Sequence, residues 1–261
     1  MPTETLAALL DDYLLANDLE QTTEAWYRRI VNVFSEWHAK DLTASGIVPE
    51  TLSRFLRDMR AGHSTYYCKS LRSGLLAVLG EHIDRRKVRT IKLDRLRPNS
   101  WTQAELERLI ASVNVLPAYK RPYYVRVCLF AWYTGLSKGD LHLIARANFD
   151  EDGTLLFERH KTGEEVVAWV PPHLLDGLAM LGPLFPRLWS DEQFRKDFKR
   201  MVAAAGLVGT FKTLRKSSGT QAEILTGRGH EHLANSRKVF EQHYLDRKRV
   251  HREPVRFPLI G

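Results

Sequence analysis

Four apolar stripes, each repeating every three or four residues, fill the first third of this chain and commit it to helices. Leu6, Leu9, Leu10, Tyr13 and Leu14 form the first, and Trp26, Ile30, Val33, Phe34 and Trp37 the second. Leu52, Phe55, Leu56 and Met59 form the third, and Tyr67, Leu71, Leu75, Val78 and Leu79 the fourth. That spacing places each set on one side of a helix. Asn17-Asp18 and Ala44-Ser45-Gly46 supply breaks. Further on, Thr102-Gln-Ala-Glu105 and Ser190-Asp-Glu-Gln193 have the pattern of capping boxes that open helices. Tyr123 to Leu136, poor in charge, predicts a central buried helix ended by Gly135. Between these, Thr154 to Arg159 and Glu165 to Val170 alternate with period two around Lys161-Thr162-Gly163-Glu164, which predicts an antiparallel hairpin. The expected class is mainly α: a four-helix domain, then a mixed helical domain holding a small antiparallel hairpin.

Charge divides the chain at the same place. Its 261 residues carry 39 Lys and Arg against 31 Asp and Glu, a formal charge of +8. Seven basic residues and one acid lie between Arg85 and Arg97, followed by Pro98-Asn99-Ser100. This reads as a basic linker. The expected domains are therefore 1–84, a linker over 85–100, and 101–261. Residues 200–261 hold twelve Lys or Arg and five acids. Two separated basic runs point to a phosphate-rich partner, because each phosphate neutralised releases a counterion.

Composition excludes other classes. With 44% apolar and 10% aromatic residues the chain can build cores, so disorder is not its main state. No apolar run reaches the ~18 residues of a membrane span, and the first residues lack the pattern of a signal peptide. A cytoplasmic protein is expected. Its two cysteines, Cys68 and Cys128, are too few for a disulfide framework and read as small buried apolar residues. Gly-rich phosphate loops, paired zinc histidines and a Gly-x-Ser-x-Gly elbow are all missing. What remains is a set of cations and a tyrosine. Lys212-Thr-Leu-Arg215 puts two cations on one helix face, Lys161 stands at the hairpin tip, and Tyr244 lies late in the basic segment.

The order of these features is less ordinary than any one of them. Thr134-Gly135-Leu136-Ser137-Lys138-Gly139-Asp140-Leu141, then Lys161-Thr162-Gly163, then Lys212-Thr-Leu-Arg215, then His243-Tyr244-Leu245-Asp246 resembles the tyrosine recombinases, the phage integrase family. The first domain is similar to their SAM-like core-binding domain, including a helix that begins after Gln21-Thr22-Thr23. The resemblance implies a site-specific recombinase that cleaves and rejoins double-stranded DNA through a 3′-phosphotyrosine, with no metal or cofactor. It implies a dimer on DNA and a tetramer in synapsis, aided by the tail Arg247 to Gly261 packing on a neighbour, and a nucleoid-associated location. Carried over by position, Tyr244 is the nucleophile and Arg215 the second arginine. Lys212 takes the place usually held by histidine, and Lys161 protonates the leaving oxygen. Arg86, Lys87, Arg89, Lys92 and Arg95 of the linker are expected on phosphates.

Two positions depart from the family pattern. Ser137 stands where the first arginine follows Thr-Gly-Leu, a serine also found in a branch of integrases from conjugative elements. Lys138 is its neighbour but points about 100° away round a helix, and Arg146 or Arg126 are other sources of charge. Leu233-Ala234-Asn235 replaces the Gly-His pair, so Asn235 takes the histidine's place, with His230 and His232 as alternatives. Each lost donor costs ~10² to 10³ in rate if nothing compensates. The alternative reading is a catalytically impaired DNA-binding accessory or regulatory protein on the same scaffold.

Overall fold

The computed structural model describes residues 5–38, 43–93, 98–178 and 182–250. Chain contacts divide it into two compact units, Met1–Leu96 and Arg97–Gly261. The fold is mainly α: eleven α-helices and one two-stranded antiparallel sheet occur among the described residues. No helix there is long and apolar enough to cross a membrane.

In the first unit the four stripes become α1 (Leu6–Ala16), α2 (Gln21–His38), α3 (Pro49–Gly62) and α4 (Thr65–Leu79). Thr5 and Ser64 cap α1 and α4 by accepting from the Ala8 and Tyr67 amides, which satisfies donors the helix itself leaves free. Pro49 opens α3, where its missing N–H costs nothing. Leu6, Ile30, Phe34, Leu52, Phe55 and Leu75 share one buried core. Helix α2 starts at Gln21 rather than after Gln21-Thr22-Thr23, because the Glu20 carbonyl already accepts from the Thr23 and Glu24 amides.

The basic segment begins as part of this unit. Val88 and Ile91 are buried in its core. The Arg72 guanidinium donates to the carbonyls of Arg85, Val88 and Arg89, and the Arg89 amide donates to Ser53 Oγ at 3.0 Å. Two apolar residues set among the charges thus fasten the chain through Ile91 to the bundle. Arg86, Lys87, Arg89 and Lys92 stay exposed, whereas Arg95 lies outside the described residues, as does the tail 251–261.

The second unit contains α5 (Gln103–Ala111), α6 (Arg121–Thr134), α7 (Lys138–Leu141), β1 (Thr154–Glu158), β2 (Glu165–Trp169), α8 (Asp191–Ala204), α9 (Phe211–Thr226), α10 (Gly229–His232) and α11 (Arg237–His243). Helix α6 is the expected central helix, burying Tyr124, Val127, Cys128, Phe130 and Ala131. The hairpin pairs Thr154 with Trp169 and Glu158 with Glu165, burying Leu155, Phe157, Val166 and Ala168. Both cysteines are buried, and burial pushes the Cys128 thiol up to about 12, as for an inert core residue. Gly229 lets α10 approach α9: a Cβ there would lie 2.3 Å from the Gly219 carbonyl oxygen.

The two expected capping boxes differ in outcome. Thr102 and Glu105 form the full reciprocal pair. Ser190 caps the Gln193 amide, but the Gln193 side chain turns to the Asp197 carboxylate at 2.9 Å instead of reaching back. Asp197 is buried and also takes Lys120 Nζ at 2.6 Å and the Tyr124 hydroxyl at 3.2 Å. A buried carboxylate needs every donor within reach, which outweighs closing the box.

Candidate active site

The site is assembled around one guanidinium. At the end of α6, Thr134 Oγ1 donates to the Phe130 carbonyl and accepts from the Leu136 amide. Gly135 then adopts the left-handed conformation at φ 65°, the conformation glycine tolerates best. This turn aims the Gly135 carbonyl at α9, where it accepts from Arg215 Nη1. Arg215 Nη2 donates at 2.7 Å to the Leu233 carbonyl just after α10. Its guanidinium carbon lies 5.3 Å from the centre of the Tyr244 ring, within cation–π range. Arg215 is only 6% exposed, and Nε has no hydrogen-bond partner. Burial, and after it the neighbouring charge of Arg159, hold its proton affinity below the ordinary value, while Tyr244 and Asp140 act in the opposite direction.

A second buried guanidinium adjoins the first. Arg159, 8% exposed, continues the inward-facing phase of β1 after Leu155 and Phe157. Its Nη1 donates at 3.4 Å to the Ala234 carbonyl, next in the chain to the Leu233 carbonyl held by Arg215. Its Nε lies 3.5 Å from Asp140 Oδ2 as an ion pair but lacks a hydrogen-bond partner. Asp140 is fixed by Ser137, whose Oγ accepts from the Asp140 amide at 3.3 Å and donates to Oδ2 at 2.7 Å.

The tyrosine segment is tied down on both sides. Arg237, at the start of α11, donates to Glu223 on α9 at 2.7 Å and to Glu241 at 2.9 Å. Glu223 also accepts from the Gly229 amide, so α9, α10 and α11 are joined through one carboxylate. Past the tyrosine, the Asp246 carboxylate accepts from the amide and hydroxyl of Ser100. Arg249 donates to Ser100 Oγ and to the Trp101 carbonyl. Tyr244 itself forms the C-terminal cap of α11.

Comparison with known structures places the fold. No family model and no curated protein matches the chain in sequence. In structure it is similar to lambda integrase residues 75–356, solved as a dimer bound to a COC′ core site, with a TM-score of 0.77 at 19% identity over 97% of this chain and 100% of that one. It is similar to the XerH site-specific recombinase bound to palindromic difH substrate in a post-cleavage complex, with a TM-score of 0.70 at 17% identity over 94% of this chain and 82% of that one. The Tn1549 transposon integrase in complex with circular intermediate DNA gives 0.69 at 12% identity over 93% of this chain and 95% of that one. The chain has the tyrosine recombinase fold.

Within the recombinase fold the expected residues fall as follows. Tyr244, Arg215 and the Thr134-Gly135-Leu136 turn meet directly. Asn235 adjoins the two carbonyls that the arginines hold, and its side-chain Nδ2 is buried without a partner. Ala234, aligned above with a glycine of the tyrosine recombinases, has φ 45° and is the one non-glycine residue with positive φ among those described. Lys212 is exposed on the first turn of α9 and Lys161 is exposed at the hairpin tip. Ser137 is engaged as the cap of α7.

The substitutes considered for the first arginine are occupied or distant in function. Lys138 pairs with Asp191 and lies 4.6 Å over the Phe194 ring. Arg146 donates to the Phe149 carbonyl, and Arg126 is exposed on α6. His230 lies 3.4 Å from Arg237. His232 is beside the site instead: it hydrogen-bonds Ser218 at 2.7 Å, and burial together with the Arg215 charge lowers its pKa to about 4. The sequence reading missed Arg159. Its signal was a charged residue on the inward phase of an alternating strand, where a side chain must find a buried partner.

Proposed function

We propose that this protein is a site-specific DNA strand-exchange enzyme in which Tyr244 attacks a phosphodiester. The Tyr244 hydroxyl gives its proton to solvent as its oxygen bonds to phosphorus, the bond to the 5′ oxygen breaks, and Lys161 gives that oxygen a proton and regains one from solvent. The product is a 3′-phosphotyrosine and a free 5′-hydroxyl, and attack by a 5′-hydroxyl reverses the step. Because a diester is exchanged for a diester, rejoining needs no separate energy source. Arg215, with Lys212 and Asn235 beside it, stabilises the charge that develops on the phosphate. Ser137 orients Asp140. The observation that carries this reading is the placement of Arg215, bound to the Thr-Gly-Leu turn and to the Leu233 segment while covering the Tyr244 ring.

Double-stranded DNA is the proposed partner, with dimers on a site and tetramers in synapsis, and the exposed cations Arg86, Lys87, Arg89 and Lys92 contribute contacts to phosphates. DNA-bound relatives of the same fold and the basic balance of the chain support this. Incubation with a site nicked beside the cleavage position should trap a covalent protein–DNA adduct that is absent in Tyr244→Phe. Survival of the adduct in that variant would remove Tyr244 from the mechanism. The engagement of Ser137 as a helix cap favours a second reading, an accessory DNA-binding protein without cleavage; it requires salt-dependent binding and no adduct from the unmodified chain.

A further inference from the structure

The proposed reaction requires two guanidinium groups around one phosphate, and Ser137 cannot provide the first. We propose that Arg159, from the end of β1, supplies it and contacts the scissile phosphate together with Arg215, and that Asp140 is its positioning residue. This rests on the recombinase reading and extends it to a residue outside the family's motifs.

Three observations point to Arg159. First, Arg159 and Arg215 donate to consecutive carbonyls, Ala234 and Leu233, which brings their guanidinium groups to the same short segment. Second, the pair carries more positive charge than its surroundings balance. Asp140 is the one carboxylate paired with either arginine among the described residues, and the partners of Arg215 are neutral carbonyls. Buried charge without a counter-ion is costly, so the pair is organised for an anion that arrives with the ligand. Third, Arg159 Nε meets Asp140 Oδ2 only as an ion pair at 3.5 Å and Arg215 Nε has no hydrogen-bond partner, so the pair keeps donor capacity for a phosphate oxygen.

The residues around Ser137 fit this arrangement. Asp140 keeps its place through the Ser137 cap. A guanidinium entering from β1 meets its carboxylate at 3.5 Å, so the cation reaches the site from the strand rather than from α7. In the proposed step Arg159 forms no covalent bond; it neutralises a non-bridging phosphate oxygen while Tyr244 oxygen bonds to phosphorus and the 5′ oxygen leaves.

The test uses the full chain and two nicked duplexes, one with a natural scissile phosphodiester and one with a methylphosphonate there, whose methyl group removes the negative charge. On the phosphodiester, Arg159→Ala should slow adduct formation ~10² to 10³-fold. On the methylphosphonate the same variant should form adduct within about tenfold of the unmodified chain, because the charge that Arg159 balances is gone. Asp140→Asn should show the same pattern with a smaller loss. Arg159→Gln, which keeps a polar side chain without the charge, should behave as the alanine variant and replaces it if the latter does not fold. Wild-type cleavage of the phosphodiester by Arg159→Ala overturns the proposal. Loss on both substrates overturns it as well, since a merely structural role would weaken both alike. Failure of the recombinase reading itself appears in a different arm, as no adduct from the unmodified chain on either duplex.

Discussion

The Arg215 guanidinium carbon lies over the Tyr244 ring, 5.3 Å from its centre, with the arginine held from two further directions by the Gly135 and Leu233 carbonyls. The contact couples the position of the phenol to a cation fixed by the core. It also separates the two functions of the tyrosine side chain, since the ring packs and the hydroxyl reacts. Tyr244→Phe should therefore leave the unfolding free energy from urea denaturation within about 0.5 kcal/mol of the original while abolishing adduct formation. Arg215→Lys, which keeps the charge but not the planar fork, should lose both carbonyl bonds and slow cleavage ~10² to 10³-fold. Equal behaviour of the two variants in both assays would contradict this division.

Ala234 offers a change in the opposite direction. Its φ of 45° costs an L-residue roughly 1 to 2 kcal/mol, which glycine avoids. Glycine gives back roughly 0.5 to 1 kcal/mol through the freedom of its unfolded chain. Ala234→Gly should stabilise the protein by about 0.5 kcal/mol, measured by urea denaturation, and Ala234→Val should destabilise it. A glycine variant less stable than the original would show that the alanine methyl packs better than the backbone strains.

His232 makes stability depend on pH. Its pKa of about 4 in the fold lies below the ordinary 6.5, so the unfolded chain binds the proton more readily than the native one between these values. Its contribution is thus fully present above pH 6.5 and is lost as pH falls towards 4, amounting to at most about 3 kcal/mol. His232→Asn, neutral throughout, should flatten the pH dependence of the denaturation midpoint in that window whatever its offset at pH 7. An unchanged slope would mean that the acid sensitivity arises elsewhere.

Lys120 and Asp197 form a buried pair at 2.6 Å, with Lys120 also 5.0 Å over the Trp189 ring. Lys120→Met leaves buried Asp197 only the exposed Arg200 at 4.0 Å as a counter-ion and should cost about 3 kcal/mol. The double variant Lys120→Met/Asp197→Leu should cost less than half as much, because no lone charge remains. Thermal melts of the two variants decide it, and equal losses would assign the effect to packing alone.

The mainly α class, the four-helix bundle and the hairpin were legible in the sequence because helices and strands bury one face each, and that requirement writes a period of about 3.6 or 2 into the apolar residues. Gly135 and Thr134 were legible as a turn for a similarly local reason. Ser190-x-x-Gln193 misled in part, since Gln193 answers to Asp197 on the next turn and Asp197 to Lys120 from α6's approach. Of the candidate site, the Thr134-Gly135-Leu136 turn, Arg215 and Tyr244, which the structure brings together, stood out in the sequence as motifs in order. That Arg159 lies beside Arg215 did not.

Local pattern therefore determined the elements and their class. The tertiary structure alone decided that Arg159 adjoins Arg215 while Lys138 pairs with Asp191 and Arg146 with the Phe149 carbonyl, and that His232 lies against Ser218 beside Arg215 while His230 lies against Arg237. The reason is that burial and pairing of a charge depend on neighbours brought together from distant parts of the chain, such as Asp140 and the Leu233 and Ala234 carbonyls. No periodicity within one segment encodes that.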